Sequence, residues 1–131
     1  MGMTRINVVP ATELCDQHLL AEHRELTRIP NCLLTGRLKY NYPDRPLKYT
    51  LGKGHVKFFT NKLGYLHKRY NELHAECLAR GFNTQYFFRN LDLSSCGFVF
   101  ADWEPDEHAF RVNRERISEK MPKKPRYSKY K

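Results

Sequence analysis

The densest chemistry in this chain lies near its start. Arg5, His18, Glu22, His23, Arg24, Glu25 and Arg28 all fall before residue 31. A carboxylate can move protons at a reacting centre when burial, which raises its pKa, is balanced by a nearby cation, which lowers it. Placed at about 100° per residue, Cys15, Leu19 and Leu26 form an apolar sector, and Gln17, Arg24 and Arg28 fall on another side. His18 and Glu25 lie on one line beside Leu14, with Glu22 close to them. Both carboxylates therefore border the buried face, with arginines on the adjacent edge. A helix of alternating charge is usually only a solvated face. Carboxylates at the apolar edge beside arginines also suit acid–base work.

Other groupings are weaker. Cys15 and His18 stand at i, i+3, as do His74 and Cys77. Two such pairs could supply four zinc ligands. Cys15 and Cys77 also complete apolar stripes, so core packing explains them without a metal, and no metal is expected. "LGKGHVKFF" is a glycine-flanked turn into a helix, with Lys53 and Lys57 nearby. Backbone N–H groups there suit a DNA phosphate or a plain helix entry. The spacing is neither a Walker loop nor a dinucleotide fingerprint. Ser94, Ser95, Ser118 and Ser128 lack the glycines of a nucleophile elbow. Cys96 is the best free-thiol candidate, with no histidine near it in sequence. The tail carries Arg126, Tyr127, Lys129, Tyr130 and Lys131. It can bind strands by charge and stacking, or simply fray.

These residues must be held by helices. Thr12 is a plausible N-cap for a helix from Leu14 to Arg28, which Pro30 ends. Residues 31–54 are broken by Gly36, Pro43, Pro46, Gly52 and Gly54 and read as loop. Val56, Phe59, Leu63, Leu66, Tyr70, Leu73 and Cys77 then follow the spacing of one long helix with a single buried stripe. Gly81 is its stop, and Gly64 inside it suits a close helix contact. Lys57, Lys62, Lys68, Arg69 and Arg80 are expected on its other faces. Phe87, Phe88, Phe98 and Phe100 suit short strands or irregular packing around helix ends. A third helix runs from about Asp106 to Lys120, entered through Pro105. The expectation is an all-α, compact single domain of three helices with long irregular connections, over residues 1–131, with 122–131 as a basic tail.

Composition narrows the partner. The 131 residues are 40% hydrophobic and 28% charged, enough for one core. No apolar run is long enough to span a bilayer, and no signal-peptide pattern opens the chain. A cytoplasmic, nucleoid-associated protein is expected. Net charge is +9 and the pI about 9.5, which favours nucleic acid over a membrane surface. Cys15, Cys32, Cys77 and Cys96 form no CxxC pair and read as reduced thiols.

From Met3, "MTRINVVPATELCDQHLLAEHREL" resembles the N-terminus of the pyrimidine dimer DNA glycosylases of the phage endonuclease V type. "LGKGHVKFF" and "ELHAECLARGFN" resemble that family's long central helix. The resemblance is good over residues 3–28 and 50–83, fainter over "RERISEKMPKKP", and weak over 29–49 and 84–104. It implies three helices with the N-terminal segment threaded between two of them. It implies excision of cyclobutane pyrimidine dimers, then strand nicking at the abasic site, without a cofactor. The nucleophile it implies is the α-amine of Thr4, with Glu25 as the essential carboxylate. Arg5, His18, Arg24 and Arg28 match active-site and DNA-contact positions, and Gln17 a polar neighbour. Arg116 and Lys120 match basic contacts near the C-terminus. His23 stands where phage-type sequences have tyrosine, and Thr27 where they have proline. The tail has fewer aromatic residues than that family's "WYKYY"-like end.

An α-amine has an unperturbed pKa of about 7.7–8.0, so much of it is neutral near physiological pH. Arginines around it would lower that pKa further. Met1-Gly2 precedes the implied start, and Met3 is expected to be the natural first residue, with Met1-Gly2 an added extension. The expected function is a bifunctional DNA glycosylase and abasic-site lyase. It acts as a monomer on double-stranded DNA carrying damaged pyrimidines or abasic sites. The catalytic candidates are Thr4, Glu25, Arg24 and Arg28. The DNA-binding candidates are Arg5, Gln17, His18, His23, Lys53, Lys57, Arg116, Lys120, Tyr127 and Lys129. The alternatives are a glycosylase or lyase for a different base lesion, and a non-catalytic basic DNA-binding module.

Overall fold

Apolar side chains three and four residues apart build the helices, and polar side chains reaching across the fold join them. The computed structural model describes residues 5–87 and 101–128. Helix α1 is Asp16–Glu25, α2 is Arg28–Leu34, and α3 is His55–Phe59. Helix α4 is Leu63–Ala79 and α5 is Glu107–Glu119. Single 3-10 turns, Ala11–Glu13 and Gly52–Gly54, precede α1 and α3. No strand occurs among the described residues, and the architecture is all-α.

The first two predicted helices are each broken once. The Leu14–Arg28 helix starts later and stops at Glu25, and α2 begins at Arg28 and runs to Leu34, into the 31–54 stretch expected to be loop. Thr12 is not its cap; Cys15 takes the N-cap position and makes no side-chain cap bond. Instead the tail supplies an acceptor, Arg126 O, 2.6 Å from Asp16 N–H. Pro30 does not end a helix but is the third residue of α2. A first-turn N–H has no intrahelical acceptor, so proline forfeits no bond there.

The long central helix divides at Lys62, whose φ of −126° and ψ of 43° are not helical. Its stripe survives the break: Phe59, Leu63, Leu66, Leu73 and Cys77 are all fully buried. Gly64 falls in the first turn of α4, and its N–H donates to Ala101 O at 3.1 Å. Gly81 ends α4 with φ +89°. Phe82 N–H donates to Cys77 O at 2.9 Å and Gly81 N–H to Leu78 O at 3.0 Å, the paired bonds of a Schellman motif. Asp106 caps α5, accepting from Ala109 N–H at 2.8 Å.

Arg69 and Arg80 depart from their expected outer faces, because both are buried in ion pairs. Arg80 Nε meets Glu76 at 2.9 Å and its Nη1 meets Asp16 at 2.9 Å, which ties α4 to the start of α1. The core joins α1, α2, α3, α4 and Ala109 of α5 to the segment from Ile6 to Val9. That segment is threaded among the helices. Asn113 Oδ1 on α5 accepts from Val8 N–H at 2.7 Å and Val9 N–H at 3.1 Å. On the α4 side, Arg69 donates to Val9 O at 2.6 Å.

The tail is pinned rather than frayed over its described part. Asp16 accepts from Ser128 Oγ at 2.6 Å, and Gln17 donates to Lys124 O at 2.9 Å. No helix among the described residues is long and apolar enough to cross a membrane. Phe88, Phe98, Phe100 and Cys96 lie outside the described residues.

Candidate active site

Three pieces of chain meet at a cavity of about 370 Å³. The N-terminal segment contributes Arg5 and Asn7; α1 contributes His18, Ala21, Glu22 and Glu25; the end of α5 contributes Arg116, Ile117 and Lys120. The α1 residues recur at helical spacing, so one stripe of that helix forms a wall. The alignment of His18 with Glu25, legible in the sequence, sends both to the same opening.

The two carboxylates have different situations. Glu22 is buried and fully engaged. Arg69 grips it bidentately, Nε to Oε2 at 2.8 Å and Nη2 to Oε1 at 2.9 Å, and Asn7 Nδ2 donates to Oε1 at 2.9 Å. Its charge is thereby spent on joining α1, α4 and the N-terminal segment. Burial opposes the Arg69 charge, but Glu22 outweighs it and holds Arg69 more firmly protonated than usual. Glu25 has a single long ion pair among the described residues, to Arg24 at 3.9 Å. Its side chain keeps 18% of its surface exposed, while Arg24 is 68% exposed. Glu25 is thus the cavity carboxylate with capacity to spare.

Two basic side chains around it are also incompletely engaged. His18 Nε2 lies 3.1 Å from Lys120 O. A carbonyl only accepts, so Nε2 carries a proton. The ring's Nδ1 is buried and has no partner among the described residues. Arg116 Nε is in the same position, and its Nη1 reaches Glu119 at 3.6 Å. Arg5, Arg116 and Lys120 make a positive rim around Glu25, suited to a phosphodiester or another anion.

Other predicted residues lie elsewhere. Arg28 is exposed and does not line the cavity. Arg24 and His23 border a separate open depression of about 340 Å³, with Thr27, Tyr70, Thr84, Gln85 and Phe87. His23 packs against Tyr70 at 4.8 Å and His74 at 5.4 Å between ring centres. Burial, and then the His74 charge, pull its pKa down to about 4, so it is neutral near pH 7. Lys57 is paired with Asp44 at 2.6 Å and Lys53 is exposed on the 3-10 turn. Neither lines the cavity. Gln17 spends both ends of its amide on the tail, donating to Lys124 O and accepting from Arg126 N–H at 3.1 Å. Tyr127 is 44% exposed. Thr4 and Lys129 lie outside the described residues.

The fold also uses residues that the sequence did not mark as site residues. Asn7, Tyr49, His55, Asn113 and Arg69 hold the N-terminal segment in place. One signal for them was visible: Asn7 interrupts the apolar run "INVV", and a buried amide needs partners. Among the described residues no three His, Cys, Asp or Glu side chains converge as metal ligands. Cys15, Cys32 and Cys77 are buried and in no disulfide among the described residues. A family model described as pyrimidine dimer DNA glycosylase matches residues 3–90.

Proposed function

This chain belongs to the pyrimidine dimer DNA glycosylase family, and from that premise we propose that it excises UV-induced pyrimidine dimers through an imine and then nicks the strand. The Thr4 α-amine, in a chain that begins at Thr4, attacks C1′ of the damaged nucleotide. The glycosidic bond breaks and the base leaves. Loss of the amine's protons and opening of the sugar give an imine between Thr4 and C1′. Glu25 removes a proton from C2′, and β-elimination expels the 3′ phosphate. Water then releases the sugar fragment from the amine.

The observation that carries this reading is the cavity itself. It places the incompletely paired carboxylate Glu25 beside Arg5, one residue from Thr4, under a rim of Arg116, Lys120 and His18. A carboxylate there steadies the cationic sugar, and the rim holds the flanking phosphates. Unpairing at a damaged step costs less than in intact duplex, which favours access to C1′ there.

Protein beginning at Thr4 should be trapped covalently on dimer-containing and abasic duplex by borohydride. No trapping on either substrate sinks the imine. Glu25→Gln should bind duplex within about threefold of wild type and lose roughly 100-fold or more in cleavage, the scale of general acid–base catalysis. Retained cleavage removes Glu25 from the chemistry.

A second reading keeps the imine and changes the lesion. It is motivated by His23 and Thr27, which depart from phage-type sequences and border the second depression. Comparing cleavage of dimer, abasic and oxidised-base duplexes decides it, and a strong preference for the dimer rejects it.

A further inference from the structure

Near its described start the N-terminal segment is gripped at Ile6, which is fully buried. Its N–H donates to His55 Nε2 at 2.8 Å, and its carbonyl accepts from Tyr49 Oη at 2.9 Å. Both peptide groups flanking the Ile6 Cα are therefore held by side chains from one loop-and-helix unit, 46–59. His55 is itself fixed, because its Nδ1 lies 2.8 Å from Thr50 O. The two contacts require one tautomer: Nδ1 donates to a carbonyl, and Nε2 must be a lone pair to receive an N–H. Tyr49 stands edge-on to His55 at 5.5 Å, and Phe59 packs against the same imidazole at 5.4 Å. Tyr49 O also lies 3.2 Å from His108 Nε2 on α5, which braces the unit.

These bonds have a consequence for chemistry. Among the described residues, Ile6 is the backbone hydrogen-bond anchor closest in sequence to Thr4. Two residues of chain span at most about 7 Å. A displaced Ile6 therefore shifts or loosens whatever Thr4 presents. Misplacing a reacting group by about 1 Å can cost roughly 100-fold in rate. We propose that Tyr49 and His55 form a clamp on Ile6 that positions the nucleophilic amine, with His55 as its positioning residue. The inference rests on the imine reading above and adds to it two residues outside the cavity lining.

The experiment is single-turnover borohydride trapping on abasic duplex at saturating protein beginning at Thr4, alongside the duplex Kd. His55→Asn can still reach Thr50 O but not Ile6. It should trap roughly tenfold to 100-fold more slowly with Kd changed by less than about threefold. His55→Gln places a carboxamide oxygen near the former Nε2 position and should recover most of the rate. Tyr49→Phe, which keeps the ring, should lose rate and keep affinity. A wild-type rate in His55→Asn or Tyr49→Phe overturns the clamp, as does a His55→Gln no faster than His55→Asn, or a rate and affinity that fall together. Should the variants not fold, nitrogen-15 NMR of wild-type protein decides. The clamp requires an unprotonated Nε2 coupled through the hydrogen bond to Ile6 N–H, and a proton on Nε2 at pH 7 overturns it. If wild type forms no imine, both readings fall. If wild type traps and the variants match it, only the clamp falls.

Discussion

Glu22 and Glu25 sit one helical turn apart on the same wall of the same cavity, yet they have separate tasks. Glu22 is bonded to Arg69 and Asn7, whereas Glu25 keeps capacity for a ligand. Removing one partner of a buried pair leaves the other charge uncompensated, at a cost of about 3–5 kcal/mol. Glu22→Ala should therefore lower the urea midpoint severely, while Glu25→Gln should leave it close to wild type. Equal stabilities of the two variants would contradict that division. The buried histidines make a pH prediction. Burial lowers the His55 pKa from 6.5 to about 4, with smaller effects from a Thr50 hydrogen bond, which opposes the shift, and from Arg5 and Arg116, which add to it. The unfolded chain takes up this proton near pH 6.5 and the folded chain resists until about 4. The contribution is therefore complete above 6.5 and lost as pH falls toward 4, on the order of 3 kcal/mol. His23 shifts in the same direction. Urea unfolding between pH 7.5 and 4.5 should show stability falling with acid, with a shallower fall in His55→Gln. A flat profile in wild type would contradict the buried neutral assignment.

At the scale of elements, local signals located the long helices well and their breaks poorly, and they read residues 31–34 of α2 as loop. Gly81 was readable because a positive φ excludes most other residues, and it does end α4. Gly81→Ala should cost about 1–2 kcal/mol by thermal or urea unfolding, since a Cβ disfavours that conformation. The apolar stripe from Phe59 to Cys77 was equally readable, because burial follows period. The break at Lys62 was not, since the stripe runs through it unchanged. Pro30 misled because its meaning depends on helix position: it is disruptive in an interior and harmless in a first turn. The tail misled because its composition is polar. What holds it is mostly backbone, through carbonyls and amides that meet Asp16 and Gln17, with Ser128 Oγ adding a side-chain bond, and composition carries no trace of the backbone bonds.

For the whole molecule, a net charge of +9 matters through how it is distributed. Arg69 and Arg80 are consumed inside the fold, and Lys57 is paired with Asp44. Arg5, Arg116 and Lys120 remain around the cavity. Duplex affinity should fall steeply with salt, the slope decreasing by roughly 1 for each phosphate that is no longer neutralised. Arg116→Ala and Lys120→Ala should each flatten the slope in fluorescence titrations from low to moderate salt. An unchanged slope would place the phosphates elsewhere, with the exposed side chains of Arg24, Arg28 and Lys53 the next to test.

The sequence by itself determined that this is a basic, all-α chain, that charged and titratable side chains crowd toward its start, and that His18 and Glu25 share a line. Those properties are periodic or compositional, so neighbours in the chain carry them. Only the tertiary structure decided which glutamate is spent on architecture. The decisive partner of Glu22 is Arg69, 47 residues away, and no local pattern records a bond over that distance. The same holds for Asn113, which meets Val8 across 105 residues, and for His55, which meets Ile6 across 49. A hydrogen bond needs its two atoms within about 3 Å, and folding alone brings such distant residues together.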